Sequence, residues 1–271
     1  MTITHSITLL ATGAFAGFAG SLLGLGGGFI MTPVQYILYT DMGLPTDMAI
    51  KLAFGTTLLA VLPTTISGVW RHSRLATIWW RPTVIMGSCG LIAAFAGATL
   101  ATHLPGAILR TAFGVVVLVS SIRMLISRDI TIEEEPKDRP WLWVVSSIVI
   151  GFIAGILGIG GGIVMVPVLV LVFKLKMHNA VAMSLAVIVF TSTGGALGYI
   201  TNGLGAPGLP TYSLGYVHLP SWLLLTIGSA GMAQIGAITA HRLPNKQLRY
   251  LFSVTLLYLG LRMLGVFDWL G

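Results

Sequence analysis

The amino-acid sequence predicts an all-α membrane protein made of two inverted-topology repeats, each a glycine-broken helix pair plus three transmembrane helices. Three observations carry this. The 271 residues are 55% hydrophobic and only 8% charged, with a mean hydropathy of +0.92, a composition that belongs to multi-spanning membrane proteins. One glycine-rich stretch is used twice: Gly24-Leu25-Gly26-Gly27-Gly28 with Pro33 after it, and Gly158-Ile159-Gly160-Gly161-Gly162 with Pro167 after it. The basic loops change sides between the two copies.

Apolar segments fall at roughly 7–24, 29–40, 52–70, 79–102 and 107–127, which form a first repeat over 1–127. A polar linker, 128–140, carries Glu133-Glu134-Glu135-Pro136-Lys137-Asp138-Arg139. The second repeat, 141–271, has segments at roughly 141–158, 163–173, 179–200, 220–240 and 247–267. Most are about 20 residues, enough to cross the hydrocarbon core at about 1.5 Å per residue. The first carries no Lys or Arg in residues 1–12 and belongs to the repeat; it is expected to be retained and not cleaved as a signal peptide. The glycine clusters cannot hold a helix well, each glycine costing about 1 kcal/mol against alanine. The pieces after them, 29–40 and 163–173, are half a membrane long. Each broken pair is therefore two crossings or a re-entrant hairpin with the glycines near its tip, and the short second arm favours the hairpin.

The repeat extends beyond the glycines. Ala53 to Leu58 aligns with Ala180 to Leu185, placing Thr57 against Ser184, and Ile122-Arg123-Met124-Leu125 aligns with Leu261-Arg262-Met263-Leu264. Arg71, Arg74 and Arg81 occupy a loop whose counterpart, Thr201 to Leu219, has no Lys or Arg. The next loop reverses, with Arg110 alone against Arg242, Lys246 and Arg249. The positive-inside rule then leaves only Lys51, Arg110 and Arg262 outside. This inverts the halves, places both termini in the periplasm and puts the linker in the cytoplasm. The seven Trp all lie at segment ends, as an aromatic belt requires.

In such a pair two glycine tips approach from opposite faces, each followed by a helix N-terminus whose unpaired N–H groups favour an anion. A broken segment in corresponding positions of both halves points to a transporter's binding site. The candidate substrate-binding residues are Gly26, Gly27, Gly28, Gly160, Gly161, Gly162, Thr56, Thr57, Ser184 and Gln35. Gly13, Gly17, Gly151 and Gly155 have instead the spacing of close helix packing. For Gln35 and Gln234, hydrogen bonding between helices competes with a site role. None of the eight acids lies mid-segment, so carboxylate proton relays are missing, and the six His sit near segment ends as weak coupling candidates.

The partners expected are a small anion and the lipid bilayer. The net charge of +7 is scattered among short loops, which argues against nucleic acid. With one cysteine, Cys89, and no His-Glu-x-x-His motif, neither a metal nor a cofactor is expected. No oligomeric state is assigned.

The doubled glycine stretch with its proline, and the Ala-x-x-x-Thr/Ser run of Ala53–Thr57 and Ala180–Ser184, resemble the TauE/SafE sulfite exporter family over nearly the whole chain. The resemblance implies a bacterial inner-membrane permease for small sulfur-containing anions such as sulfite, sulfoacetate or related organosulfonates. A secondary transporter is the leading expectation, a channel-like anion pore the alternative, and an intramembrane enzyme a distant third.

Overall fold

In a computed structural model the described residues are 3–126, 140–244 and, from the C-terminal stretch, 247, 250, 253, 254, 257, 258, 260, 261, 264 and 266. The linker 128–139 and most of the last expected segment lie outside them. The chain is helical, in the order α1 (Ile3–Leu23), α2 (Gly28–Asp41), α3 (Thr46–His72), α4 (Trp80–Thr102), α5 (Gly106–Ile126), α6 (Pro140–Leu157), α7 (Gly162–Leu171), α8 (Met177–Gly203) and α9 (Leu219–Arg242). Six of these, α1, α3, α4, α6, α8 and α9, are long and apolar enough to cross a membrane. The protein is a multi-pass membrane protein.

The breaks are set by backbone conformation. Gly24 ends α1 at φ +76°, and Gly26 and Gly27 follow at +73° and +89°. Gly158, Gly160 and Gly161 repeat the pattern at +64°, +72° and +94°. Side-chain-bearing residues pay roughly 1–2 kcal/mol in this left-handed region, so the Gly-x-Gly-Gly spacing is a conformational demand. The amides of Leu25 and Gly26 both return to the Gly20 carbonyl, at 2.8 and 3.2 Å, closing the end of α1.

Each broken pair is a hairpin that enters and leaves by the same end. His5 on α1 lies 3.4 Å from the Asp41 carboxylate that ends α2. In the second copy Trp143 on α6 stacks on Phe173 just beyond α7, with centroids 4.6 Å apart. Trp143 thereby departs from the aromatic belt: only 2% exposed, it is core. Trp70, Trp80 and Trp141 are exposed at helix ends, as expected.

Helices α3 and α8 form the centre and run antiparallel. The rings of Phe54 and Tyr199 meet edge to face at 6.3 Å, Leu58 packs at Gly195, and Gly68 packs beside Leu185. Around them the halves exchange helices. α1 lies parallel along α9, with Gly13 facing the Leu225 backbone and Gly17 that of Ser229; a Cβ at Gly17 would sit 2.3 Å from the Ser229 carbonyl oxygen. α6 lies parallel along α4, Gly151 against Gly90 and Gly155 against Ala94. These four glycines serve close helix packing, as their spacing suggests.

The two ends of the bundle differ in charge. One gathers Arg71, Arg74, Arg81, Lys174, Lys176 and Arg242, and is joined by His72 with His241 at 3.0 Å and by His178 with the Ala240 carbonyl at 2.9 Å. The other holds Asp41, Asp47, Lys51 and Arg110. There Asp47 accepts the Gly106 amide at 2.5 Å and Lys51 donates to the Thr102 carbonyl at 2.8 Å.

Candidate functional site

The two glycine tips meet between α3 and α8. A Cβ on Gly162 would lie 2.6 Å from the Leu25 Cα, and one on Gly28 would lie 3.2 Å from the Ile159 Cα. Gly26 faces Val61 and Thr65, and Gly160 faces Ile188 and Ser192. All ten tip residues are buried. The structure thus brings together Gly26, Gly27, Gly28, Gly160, Gly161 and Gly162.

From each tip a short helix starts, α2 after Gly27 and α7 after Gly161, and neither start has a side-chain cap. Two buried helix N-termini, each with about half a positive charge, therefore converge on one point. Beside them the Ser192 hydroxyl is buried and has no hydrogen-bond partner among the described residues. Its neighbour Thr191 donates to the Gly160 carbonyl at 2.6 Å, and Ser184 donates to the Gly24 carbonyl at 2.9 Å. Ser184 therefore fastens α8 to the first tip and does not stand beside its repeat counterpart.

The other candidates lie in a buried network leading away from the first tip. Thr57 accepts from Gln35 Nε2 at 2.7 Å and from Thr32 at 3.1 Å. Tyr39 donates to Gln35 Oε1 at 3.0 Å. Both ends of the Gln35 amide are thus engaged, one by a bond between helices and one by a bond within α2. Thr56 turns the other way and accepts the His218 amide at 2.9 Å, while His218 Nδ1 meets the Ser221 hydroxyl at 2.8 Å. The Tyr39 ring stands edge-on to His218 at 5.9 Å. Burial lowers the His218 pKa from its ordinary value to about 4.

Sequence reasoning passed over Thr32, Tyr39, His218 and Ser221, and counted Ser192 only among the hydroxyls of the second half. Thr32, Gln35 and Tyr39 do carry a signal, since spacings of three and four put them on one helix face. His218 carries none locally. It is delivered by the loop between α8 and α9, whose Val217 is fully buried and whose Tyr216 amide bonds the Tyr199 carbonyl at 3.2 Å. Gly55 leaves room for that loop: a Cβ there would lie 2.1 Å from the Tyr216 carbonyl oxygen. A separate cavity of about 290 Å³ among α5, α6 and α7 is lined wholly by apolar side chains such as Val115, Ile153 and Val168, which offer an anion nothing to bond.

The profile of the sulfite exporter TauE/SafE family matches residues 9–263. The chain belongs to the TauE/SafE family. It is 32% identical to a probable membrane transporter protein of Methanocaldococcus jannaschii over 94% of each chain. A probable membrane transporter protein of Haemophilus influenzae is 28% identical, over 96% of this chain and 98% of its own. The Bacillus subtilis protein YunE, also a probable membrane transporter, is 24% identical over 97% and 99%. No solved structure matches the chain. Within TauE/SafE proteins, the function that these relatives share by name is membrane transport.

Proposed function

We propose that this TauE/SafE protein is a secondary transporter that carries small sulfur-containing anions, such as sulfite, sulfoacetate or similar sulfonates, out across the bacterial inner membrane. The observation that carries the reading is the meeting of two uncapped helix N-termini beside the unpartnered Ser192 hydroxyl. Such a centre suits a compact oxyanion, because backbone dipoles and hydroxyls can bond its oxygens without a fixed cation. Helix-terminus attraction contributes roughly 0.3–2 kcal/mol per site and a hydrogen bond to a charged group about 1.5–3 kcal/mol. The result is modest affinity, which suits a protein that must also release its cargo.

The antiparallel crossing of α3 and α8, which are equivalent helices of the two repeats, supports inverted halves. Under the positive-inside rule the end bearing Arg71, Arg74 and Arg242 is cytoplasmic, and the end bearing Asp41 and Asp47 is periplasmic together with both termini. The packed tips weigh toward alternating access over a standing pore.

Fluxes of labelled sulfite and sulfoacetate in proteoliposomes, with and without a pH gradient, test the reading. Saturable flux stimulated by substrate on the far side is expected. Flux of neither anion, or non-saturable flux of both, would sink it.

A further inference from the structure

Three histidines far apart in sequence meet at the basic end of the bundle. His72 ends α3, His178 opens α8 and His241 lies in the last turn of α9. His72 Nδ1 lies 3.0 Å from His241 Nε2, and His178 stacks on His241 with centroids 5.1 Å apart. His72 Nε2 lies 3.0 Å from the carbonyl of Ser21, which is in the last turn of α1 just before the first glycine tip. His72 is fully buried, whereas His178 and His241 are half-buried.

The geometry dictates the protonation pattern. A carbonyl only accepts, so His72 Nε2 carries hydrogen and donates to Ser21. Neutral His72 then presents a bare Nδ1, and His241 Nε2–H donates to it. His178 Nε2–H likewise donates to Ala240, leaving its Nδ1 bare. One added proton can enter at half-buried His241 Nδ1, and the hydrogen bond between the two rings survives as a shared proton. A second proton would set two N–H groups facing each other and break it. The titratable group beside His72 is His241, and the one beside His241 on its other side is His178. Arg71 and Arg242 are their chain neighbours, and Lys174 and Lys176 precede α8. Among the described residues the carboxylates, Asp41 and Asp47, lie at the opposite end.

We propose that His72, His241 and His178 form the proton-binding site that couples transport to pH: with at most one added proton they hold α3, and the end of α1 bonded to it, against α8 and α9 at the basic end; a second proton breaks the His72–His241 bond and opens the junction at Ser21. This rests on the transport reading and supplies its coupling ion, H⁺. The cluster joins helices of both halves and touches the turn that leads into the first tip. Its state is thereby communicated to the site without any central carboxylate.

A substrate-independent experiment decides the matter. In a Cys89→Ser protein held in nanodiscs, N-ethylmaleimide labelling of Ser21→Cys is compared with that of exposed Ser73→Cys. Roughly pH 8 and pH 5.5 bracket the ordinary histidine titration. The labelling ratio is expected to rise about tenfold toward acid, since one-proton linkage shifts an equilibrium by up to about tenfold per pH unit. His72→Gln and His241→Gln, which keep a donor but cannot titrate, should each flatten it. A ratio insensitive to pH in the parent, or an acid rise unchanged in both glutamine variants, would overturn the proposal. In proteoliposomes the same variants should lose stimulation by a pH gradient and keep substrate exchange; retained stimulation would count equally against it. Failure of sulfite and sulfoacetate to move would refute the substrate reading while the labelling still decides the proton site.

Discussion

The Ser192 hydroxyl lies against Gly160 without a hydrogen-bond partner among the described residues, while Thr191 beside it donates to the Gly160 carbonyl at 2.6 Å. Buried hydroxyls are rarely left unpaired, which makes Ser192 the donor that the proposed anion site would use. Ser192→Ala should weaken apparent anion affinity about tenfold, the equivalent of about 1.4 kcal/mol, with little loss of stability because no internal bond is removed. Ser184→Ala, which strips a donor from the buried Gly24 carbonyl, should cost about 1–3 kcal/mol of stability. Substrate titration and thermal melting of the two variants check this; unchanged affinity in Ser192→Ala would remove Ser192 from the site.

Thr57 and Gln35 are expected to act as a unit. Thr57→Val leaves Gln35 Nε2 without its 2.7 Å acceptor, and Gln35→Leu removes that donor. A double-mutant cycle read by affinity should show a coupling energy of about 0.5–3 kcal/mol, the range for contacting residues. Additive effects would separate the two.

The two tips should tolerate a methyl unequally. A Cβ on Gly27 would sit 2.6 Å from the Ala16 carbonyl oxygen, which is backbone, whereas one on Gly161 would sit 3.1 Å from the Ala154 Cβ. Both substitutions incur the roughly 1–2 kcal/mol left-handed penalty; Gly27→Ala carries the clash as well. Thermal melting should rank Gly27→Ala clearly below Gly161→Ala, and equal losses would mean that the first tip shifts freely.

Sidedness is checked by an impermeant thiol reagent on intact cells, in a Cys89→Ser background. Leu204→Cys, 60% exposed in the α8–α9 loop, should label from outside, and exposed Ser73→Cys should not. The reverse pattern would turn the protein over.

The loop that carries His218 should loosen in acid. Burial lowers the folded pKa of His218 to about 4, below the ordinary histidine value of 6.5. The unfolded or opened state therefore binds more protons between these values, and stability rises with pH across that window. The contribution is complete above about 6.5 and is lost as pH falls toward 4. Amide exchange at Tyr216 and His218 should quicken over that range, and His218→Ala should remove the pH dependence.

Much of the architecture was legible because it repeats. The lengths of 79–102 and 107–127 match α4 and α5 to within a residue, and the four packing glycines were readable from spacing alone. The tips were legible as a place but not as a mechanism: adjacency of Gly162 to Leu25 is a fact of crossing helices, not of either stretch. Partners such as Ser184 and Gly24, 160 positions apart, or His72 and His241, 169 apart, depend on which helix face turns inward. An apolar segment reveals little of this, because lipid and protein interior reward the same side chains. The α8–α9 loop was opaque for a related reason: its composition marks a connection, and only the gap at Gly55 shows that it inserts.

The pairing of α1 with α9 also has a consequence for biogenesis. Helix α1 leaves the ribosome long before α9, its main neighbour, is made. Until then its glycine face at Gly13 and Gly17 can meet only lipid or a chaperone. The same exchange means that neither half completes its own walls. An ancestral single repeat would have had to pair with a second copy in the opposite orientation. Severed at the linker, the present chain should assemble only when both fragments are made in the same cell.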